Sequence, residues 1–120
     1  MDNSLTSITL IVGLIFFIVG LLFKMFPPKK INSIYGYRTS SSMRNLDTWT
    51  VANKYSAGLM IFEGIGMTII GILILMFSGI GTIGTGISVG FVILFVILLI
   101  VLTEKHLNNL FDKDGNRKIT

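Results

Sequence analysis

The sequence predicts an all-α membrane protein of three transmembrane helices, because it combines three long apolar stretches, few charges and basic residues on one side only. The chain has 120 residues, of which 52% are hydrophobic and 13% are charged. In a soluble domain about 25% of residues are charged. Three spans of about 20 residues each would use half of the chain. We therefore expect one transmembrane domain over residues 1–120 and no separate catalytic domain.

The predicted spans are residues 5–26, 49–77 and 83–102. The apolar stretch 5–23 of the first span would rise about 28 Å as a helix, close to the thickness of the hydrocarbon core. A cleaved signal peptide is the alternative interpretation. It is disfavoured because Asp2 precedes the stretch without any lysine or arginine, and no small-x-small cleavage site follows it.

All ten basic residues lie on one side of the predicted spans. They are Lys24, Lys29, Lys30, Arg38, Arg44, Lys54, Lys105, Lys113, Arg117 and Lys118. Basic loops stay in the cytoplasm, so we expect the N-terminus outside and the C-terminus inside. Residues 27–48 then form a structured cytoplasmic loop, residues 103–120 a cytoplasmic tail, and residues 78–82 an outward-facing turn. Two or four spans would place basic residues on both sides.

Small residues recur along each predicted span, as expected where helices approach closely in lipid. They are Thr6, Gly13 and Gly20 in the first span, Ala57, Gly64, Gly71 and Ser78 in the second, and Thr82, Gly86 and Gly90 at the start of the third. Seven-residue spacing suits left-handed crossings and four-residue spacing suits close right-handed ones. The third helix is therefore expected to use a different partner, such as a second copy of the chain. The alternative is that glycine is simply frequent in membrane helices.

Glu63 is the one acidic or basic residue in the apolar stretch 57–77. Helical spacing places it on one face of the second helix with Trp49, Asn53, Ser56, Met60 and Met67. An ionised carboxylate exposed to lipid would cost about 2.5 kcal/mol or more, so Glu63 should face protein or water. As a functional group it would carry protons or bind a cation in a cavity open to the cytoplasm. As a structural group it would be neutral and hydrogen-bonded to Asn53, Tyr35 or a backbone carbonyl. Arg38 is the candidate partner.

The connection between the first two spans carries an ordered motif. It begins with Phe23-Lys24-Met25-Phe26-Pro27-Pro28-Lys29-Lys30-Ile31-Asn32 and continues with Tyr35-Gly36-Tyr37-Arg38-Thr39, Ser42, Asn45, Trp49, Ala52 and Asn53. The two prolines stop the first helix, and the two lysines that follow lie where anionic headgroups begin. Asn45 or Asp47 is a plausible cap for a second helix that begins near Leu46. The order and spacing of this string resemble the SdpI family of bacterial membrane proteins.

This resemblance implies a fold and a function. The motif covers about residues 20–54, and the flanking spans fit the family's plan. A typical member resists a secreted peptide toxin made by its own kin, and the protein that names the family is longer, with further spans before this module. We therefore expect an SdpI-like immunity protein of the bacterial cytoplasmic membrane that binds or excludes a membrane-active peptide. A signalling role is not carried over.

The residues of the motif also have a physical rationale. Gly36 would permit a tight turn that lets Arg38 fold back toward the membrane and offer its planar guanidinium to a carboxylate or phosphate. The alternative is an interfacial anchor in which Tyr35, Tyr37 and Trp49 lie among headgroups and Arg38 reaches a lipid phosphate. The candidate functional residues are Asn32, Tyr35, Gly36, Tyr37, Arg38, Thr39, Asn45, Trp49, Asn53 and Glu63.

Several other functions are disfavoured by the residues present. Cysteine is absent, and His106 is the only histidine, so neither a thiolate site nor a histidine metal site is expected. Residues 112–116 resemble a calcium loop but lack its distal glutamate, which favours a turn after a helix. No catalytic set or phosphate loop is visible, so we expect no enzyme, no cofactor and no nucleic-acid partner. Leu107 and Phe111 suggest an amphipathic continuation of helix three along the inner leaflet.

The expected partners are membrane lipids, a peptide toxin and further copies of the chain. Two rival functions are considered beside immunity. The first is a small proton-coupled transporter or channel subunit that uses Glu63. The second is an accessory subunit of a larger membrane complex, which would require a stoichiometric larger partner.

Overall fold

The computed structural model describes residues 6–77 and 82–118, and these form three helices packed side by side. The helices are α1 (Ile8–Met25), α2 (Leu46–Phe77) and α3 (Thr82–Leu110). Each is long and apolar enough to cross a membrane. The three predicted helices are confirmed. Residue 5 and the predicted turn residues 78–81, including Ser78 of the small-residue spacing, lie outside the described residues.

α2 begins at Leu46, as predicted, because Asn45 caps it. The Asn45 side-chain oxygen accepts a hydrogen bond from the backbone N–H of Thr48 at 2.8 Å, and the Thr48 hydroxyl accepts one from the N–H of Asn45 at 3.1 Å. This reciprocal pair satisfies donors that a helix start leaves unpaired. With 32 residues, α2 is about 48 Å long, longer than a hydrocarbon core of about 30 Å. Part of it must therefore project from the membrane.

The interface between α1 and α2 follows the predicted small-residue spacing. Gly13 and Gly20 of α1 are buried, and so are Ala57, Gly64 and Gly71 of α2, whereas the buried Thr6 precedes α1 and its hydroxyl bonds that of Thr85 on α3. A Cβ atom added at Gly64 would lie 2.5 Å from the backbone nitrogen of Phe17, and one added at Gly71 would lie 2.5 Å from that of Leu10. Only glycine permits this approach, so backbone packing between small residues holds the two helices together.

α3 does not use its predicted glycine spacing within the molecule. Gly86 and Gly90 face open space, with nothing within 4 Å of an added Cβ at either position. The buried face instead carries Gly84 and Ser88. The hydroxyl of Thr9 on α1 donates to the Ser88 carbonyl at 2.6 Å. Hydrogen bonds between helices are favourable in an apolar surrounding, which explains why this face is the one that is buried.

The loop and the tail lie at the same end of the helices, which we call the loop end. α3 continues to Leu110, as the sequence suggests, but Leu107 and Phe111 are 2% and 3% exposed and pack with Ala52 of α2. They cover protein, so the expectation that this segment lies along a leaflet was wrong. Residues 112–116 form the predicted turn, with the Asp112 N–H donating to the Asn116 carbonyl at 2.8 Å.

A hydrogen bond and an ion pair join the tail to the start of α2. The amide of Asn45 donates to the Gly115 carbonyl at 2.7 Å, and the guanidinium of Arg117 pairs with Asp47 at 2.8 Å. The loop end therefore gathers α1, α2 and α3 with both flanking segments. On which side of a membrane it lies stays a prediction from the basic residues.

Candidate functional site at the loop end

The loop motif is folded back onto α2 around Trp49. The Trp49 side chain is completely buried, and its ring N–H donates to the Pro28 carbonyl at 2.5 Å. Gly36 has φ of 109°, and a Cβ there would lie 2.7 Å from the Asn53 side-chain oxygen and 2.9 Å from Pro28 Cγ. Both the backbone conformation and the lack of space require glycine at this position.

Asn53 of α2 forms two hydrogen bonds with the loop residue Tyr37 and a third with Trp49 of its own helix. Its side-chain oxygen accepts from the Tyr37 backbone N–H at 2.6 Å, and its amide donates to the Trp49 carbonyl at 3.0 Å and to the Tyr37 carbonyl at 3.4 Å. The residue is 4% exposed. Buried polar groups must be paired, and here the pairing fixes the conformation of the loop.

Glu104 of α3 accepts side-chain hydrogen bonds from three residues of the loop. Its carboxylate accepts hydrogen bonds from the hydroxyls of Tyr37 at 2.6 Å and Thr39 at 2.9 Å, and from Ser41. We call these four residues the Glu104 cluster. It connects the loop to a helix that lies more than sixty residues away along the chain. Hydrogen bonds to an ionised group are the strong ones, so this cluster is a principal attachment of the loop.

The cluster also fixes its own protonation. Burial alone would raise the pKa of Glu104, but the hydrogen bonds from Ser41, Tyr37 and Thr39 and the charge of Arg44 outweigh it and lower that pKa. The pKa of Tyr37 is raised well above its usual value, mainly by burial and further by its hydrogen bond to Glu104 and the negative charge of Glu104. Near neutral pH Glu104 is therefore an acceptor and Tyr37 a donor.

Ser42 is part of the loop motif, but the motif contains neither Ser41 nor Glu104. The Ser42 hydroxyl accepts from the Thr39 N–H at 2.8 Å and donates to the Tyr37 carbonyl at 3.0 Å, so it holds the turn that presents Tyr37 and Thr39. The available signal was that Glu104 is the first charged residue after the apolar stretch 83–102. A carboxylate at that place needs a partner.

Arg38, the candidate partner of Glu63, does not pair with it in the structure. Arg38 is exposed, and its guanidinium donates to the Ser33 carbonyl at 2.6 Å. The turn does bend the loop as Gly36 suggested, but it directs the Tyr37 hydroxyl, rather than Arg38, toward a carboxylate. That carboxylate belongs to Glu104.

The remaining motif residues shape the loop. The Asn32 side-chain oxygen accepts from the backbone N–H groups of Ile34 at 2.9 Å and Tyr35 at 2.8 Å, which forms an Asx turn. The Tyr35 ring packs against Phe23 with ring centroids 5.7 Å apart. The motif thus acts as a folded unit, and its members differ in role: some are buried structural groups, and others, such as Arg38 and Tyr35, stay exposed.

Glu63 is separate from this network. It is 6% exposed, on the buried face of α2 that the spacing predicted, and its Oε1 accepts no hydrogen bond from any described residue. The two side chains expected as partners bond or pack elsewhere. Asn53 forms its hydrogen bonds with Trp49 and Tyr37, and the ring of Tyr35 packs on Phe23. A buried polar atom without a partner is not explained by packing alone.

A groove of about 620 Å³ lies between α2 and α3 at the loop end. Its walls include Val51, Tyr55, Gly58, Phe62, His106 and Leu110, and Lys54 lies at its border. The rings of Tyr55 and His106, which both line the groove, stack with centroids 4.2 Å apart. We call this space the α2–α3 groove. It offers apolar walls beside a cation.

Comparison with known proteins now decides the family. The sequence profile of the SdpI/YfhL protein family matches residues 29–103, which include the loop motif from Lys29 onward, α2 and most of α3. The chain belongs to this family. It is also 38% identical over 109 residues to the protein YfhL of Bacillus subtilis (strain 168). The aligned residues cover 88% of this chain and 91% of YfhL. No solved structure matches the chain. The resemblance read from the motif is thus confirmed for the SdpI/YfhL family.

Proposed function

We propose that this SdpI/YfhL protein protects a bacterial cytoplasmic membrane against a membrane-active peptide toxin, which it binds or excludes. Family membership over residues 29–103 carries the proposal. The loop motif that underlies the resemblance is also structurally ordered, since Trp49 and Asn53 are buried and hydrogen-bonded. A folded loop on three apolar helices suits a protein that presents a fixed surface at the membrane. Such a role requires no chemical step.

In this proposal the α2–α3 groove binds the peptide. Its aromatic and aliphatic walls would accept apolar side chains, and Lys54 at its border would favour an acidic or carboxylate-bearing end of the peptide. The groove opens beside the loop, so the Glu104 cluster would keep the end of α3 in place and hold the groove at a constant width. Binding and structural support would then be performed by different residues.

Expression in a toxin-sensitive strain tests the function. Cells that carry the chain should survive a related secreted peptide toxin better than cells with an empty vector. Killing that is unchanged for every related peptide toxin would remove the immunity proposal.

A matched pair of variants tests the groove. An added Cβ at Gly58 and at Gly86 meets nothing within 4 Å, so a side chain can start at both sites without a clash at its first carbon, but only Gly58 lines the groove. At equal abundance in the membrane, Gly58→Leu should lose protection and Gly86→Leu should keep it. Full protection by Gly58→Leu would show that the peptide does not bind in this groove.

Glu63 favours a second candidate function, a small proton-coupled transporter or channel subunit. The observation is the buried carboxylate oxygen without a hydrogen-bond partner among the described residues. Ionisable groups within a membrane mark ion pathways more often than structural sites. Purified protein in liposomes with an internal pH-sensitive dye would test it. Proton flux that is present in the wild type and lost in Glu63→Gln would support transport, and absence of flux in the wild type would exclude it.

A further inference from the structure

A second cavity at the loop end brings three lysines together. It measures about 510 Å³ and lies between the end of α1 and the start of α2. Lys24 comes from the last turn of α1, Lys29 from the loop and Lys54, which also lines the α2–α3 groove, from α2. We call it the lysine pocket. The three lysines line the pocket from separate parts of the chain, so the pocket is a product of the fold rather than of a basic run in the sequence.

These charges have no counter-ion in the described part of the chain. None of the three lysines forms an ion pair with a described residue, and no acidic side chain among those residues lines the pocket. A cavity at the tail that is lined by Arg44, Lys113 and Lys118 differs in this respect, because Asp112 also lines it. Three like charges around one cavity repel each other, and an anion between them would relieve that repulsion.

The rest of the lining indicates what kind of anion fits. Phe23, Pro27 and Ala57 form apolar walls beside the lysines. Asn53 also borders the pocket, but its side chain already bonds Tyr37 and Trp49. An inorganic ion would leave the apolar walls facing water. A molecule with an anionic phosphate and a hydrocarbon part would cover both surfaces.

The location agrees with this chemistry. α1 ends at Met25, next to Lys24, so the pocket opens where an apolar helix gives way to a polar loop. In a membrane this is the level of the lipid phosphates, and basic pockets between transmembrane helices bind acidic lipid headgroups. We propose that the lysine pocket is a binding site for an acidic phospholipid, whose phosphate contacts Lys24, Lys29 and Lys54 and whose first acyl carbons contact Phe23 and Pro27.

Titration of the purified full-length protein in detergent with phosphatidylglycerol, followed by native mass spectrometry, tests the proposal. The site variant is Lys24→Gln/Lys29→Gln/Lys54→Gln. The matched control, Lys30→Gln/Lys105→Gln/Lys113→Gln, removes the same charge from positions outside the pocket. The site variant should weaken phosphatidylglycerol binding by about tenfold or more, and the control by about twofold or less. Circular dichroism melting of each variant verifies that it is folded.

Three further arms separate the possible sources of binding. The charge-preserving variant Lys24→Arg/Lys29→Arg/Lys54→Arg should retain affinity, which a variant that merely damages the fold would not. Equal weakening by the site and control variants, or equal binding of phosphatidylcholine, would overturn the proposal in favour of a diffuse surface charge. Displacement of the lipid by millimolar inorganic phosphate would overturn the lipid assignment in favour of a free phosphate site.

Discussion

Glu63 and Glu104 are the same residue type on neighbouring helices, and their surroundings are opposite. Glu104 accepts hydrogen bonds from Tyr37, Thr39 and Ser41, whereas Glu63 is buried with an oxygen that no described residue contacts by a hydrogen bond. A carboxylate with this many donors is part of the fold. A buried carboxylate without such donors is not explained by a structural role of this kind. The role of each follows from its partners rather than from its depth in the bundle.

The largest expected effect comes from removing the Glu104 carboxylate. Glu104→Ala leaves three hydroxyls without their charged acceptor, and we expect a loss of about 3 kcal/mol in the free energy of unfolding. Unfolding by dodecyl sulfate in mixed micelles measures it. Glu63→Gln is the comparison and should cost little, since Oε1 has no hydrogen bond to a described residue to lose. Equal losses in the two variants would end the distinction between the carboxylates.

The second effect concerns the other attachment of the loop. Trp49→Phe removes the ring N–H that donates to the Pro28 carbonyl in a completely buried site. We expect a loss of about 1–3 kcal/mol, from the unpaired carbonyl and the smaller ring together. Tyr35→Phe is the control, because the Tyr35 hydroxyl bonds no described residue. If Trp49→Phe and Tyr35→Phe lose the same free energy of unfolding, the Trp49 contact does not hold the loop.

The third prediction concerns how the free energy of unfolding depends on pH through Glu104. The ordinary pKa of a glutamate is near 4.5, and the pKa of Glu104 in the folded chain is lower. Its contribution to stability is therefore complete above about pH 4.5, and is lost as the pH falls through the folded-state pKa, because the unfolded chain binds the proton first. The free energy of unfolding, measured between about pH 6 and pH 3, should fall more steeply in the wild type than in Glu104→Gln. Parallel curves would contradict the assignment.

The smallest effect is expected at Arg38. Its only side-chain hydrogen bond to a described residue is to the Ser33 carbonyl, in an exposed position. Arg38→Gln should change the free energy of unfolding by about 0.5 kcal/mol or less in the same micelle titration. A loss of several kcal/mol would instead indicate that Arg38 neutralises a buried carboxylate such as Glu63.

The helices and their main interface could be predicted from the sequence, because hydropathy, capping and spacing are local. Seven-residue spacing indicates Gly64 and Gly71, and the two candidate caps, Asn45 and Asp47, place the start of α2 near Leu46, with Asn45 the one that caps it. The Glu104 cluster could not be found in this way. Tyr37 and Glu104 are 67 residues apart, and their contact depends on how the end of α3 crosses the loop. Spacing also gave no way to tell that α3 would bury Ser88 rather than Gly86.

Hydrogen–deuterium exchange of the loop tests most directly whether the Glu104 cluster holds it in place. The measurement compares backbone amides of residues 27–45 in the wild type, Glu104→Gln and Glu63→Gln, in the same detergent. Loss of the ionised acceptor should raise exchange in the loop on the order of tenfold in Glu104→Gln, with α1 and α2 below it unchanged. Glu63→Gln should leave the loop as protected as in the wild type. Loop exchange that is the same in Glu104→Gln and the wild type would contradict the account.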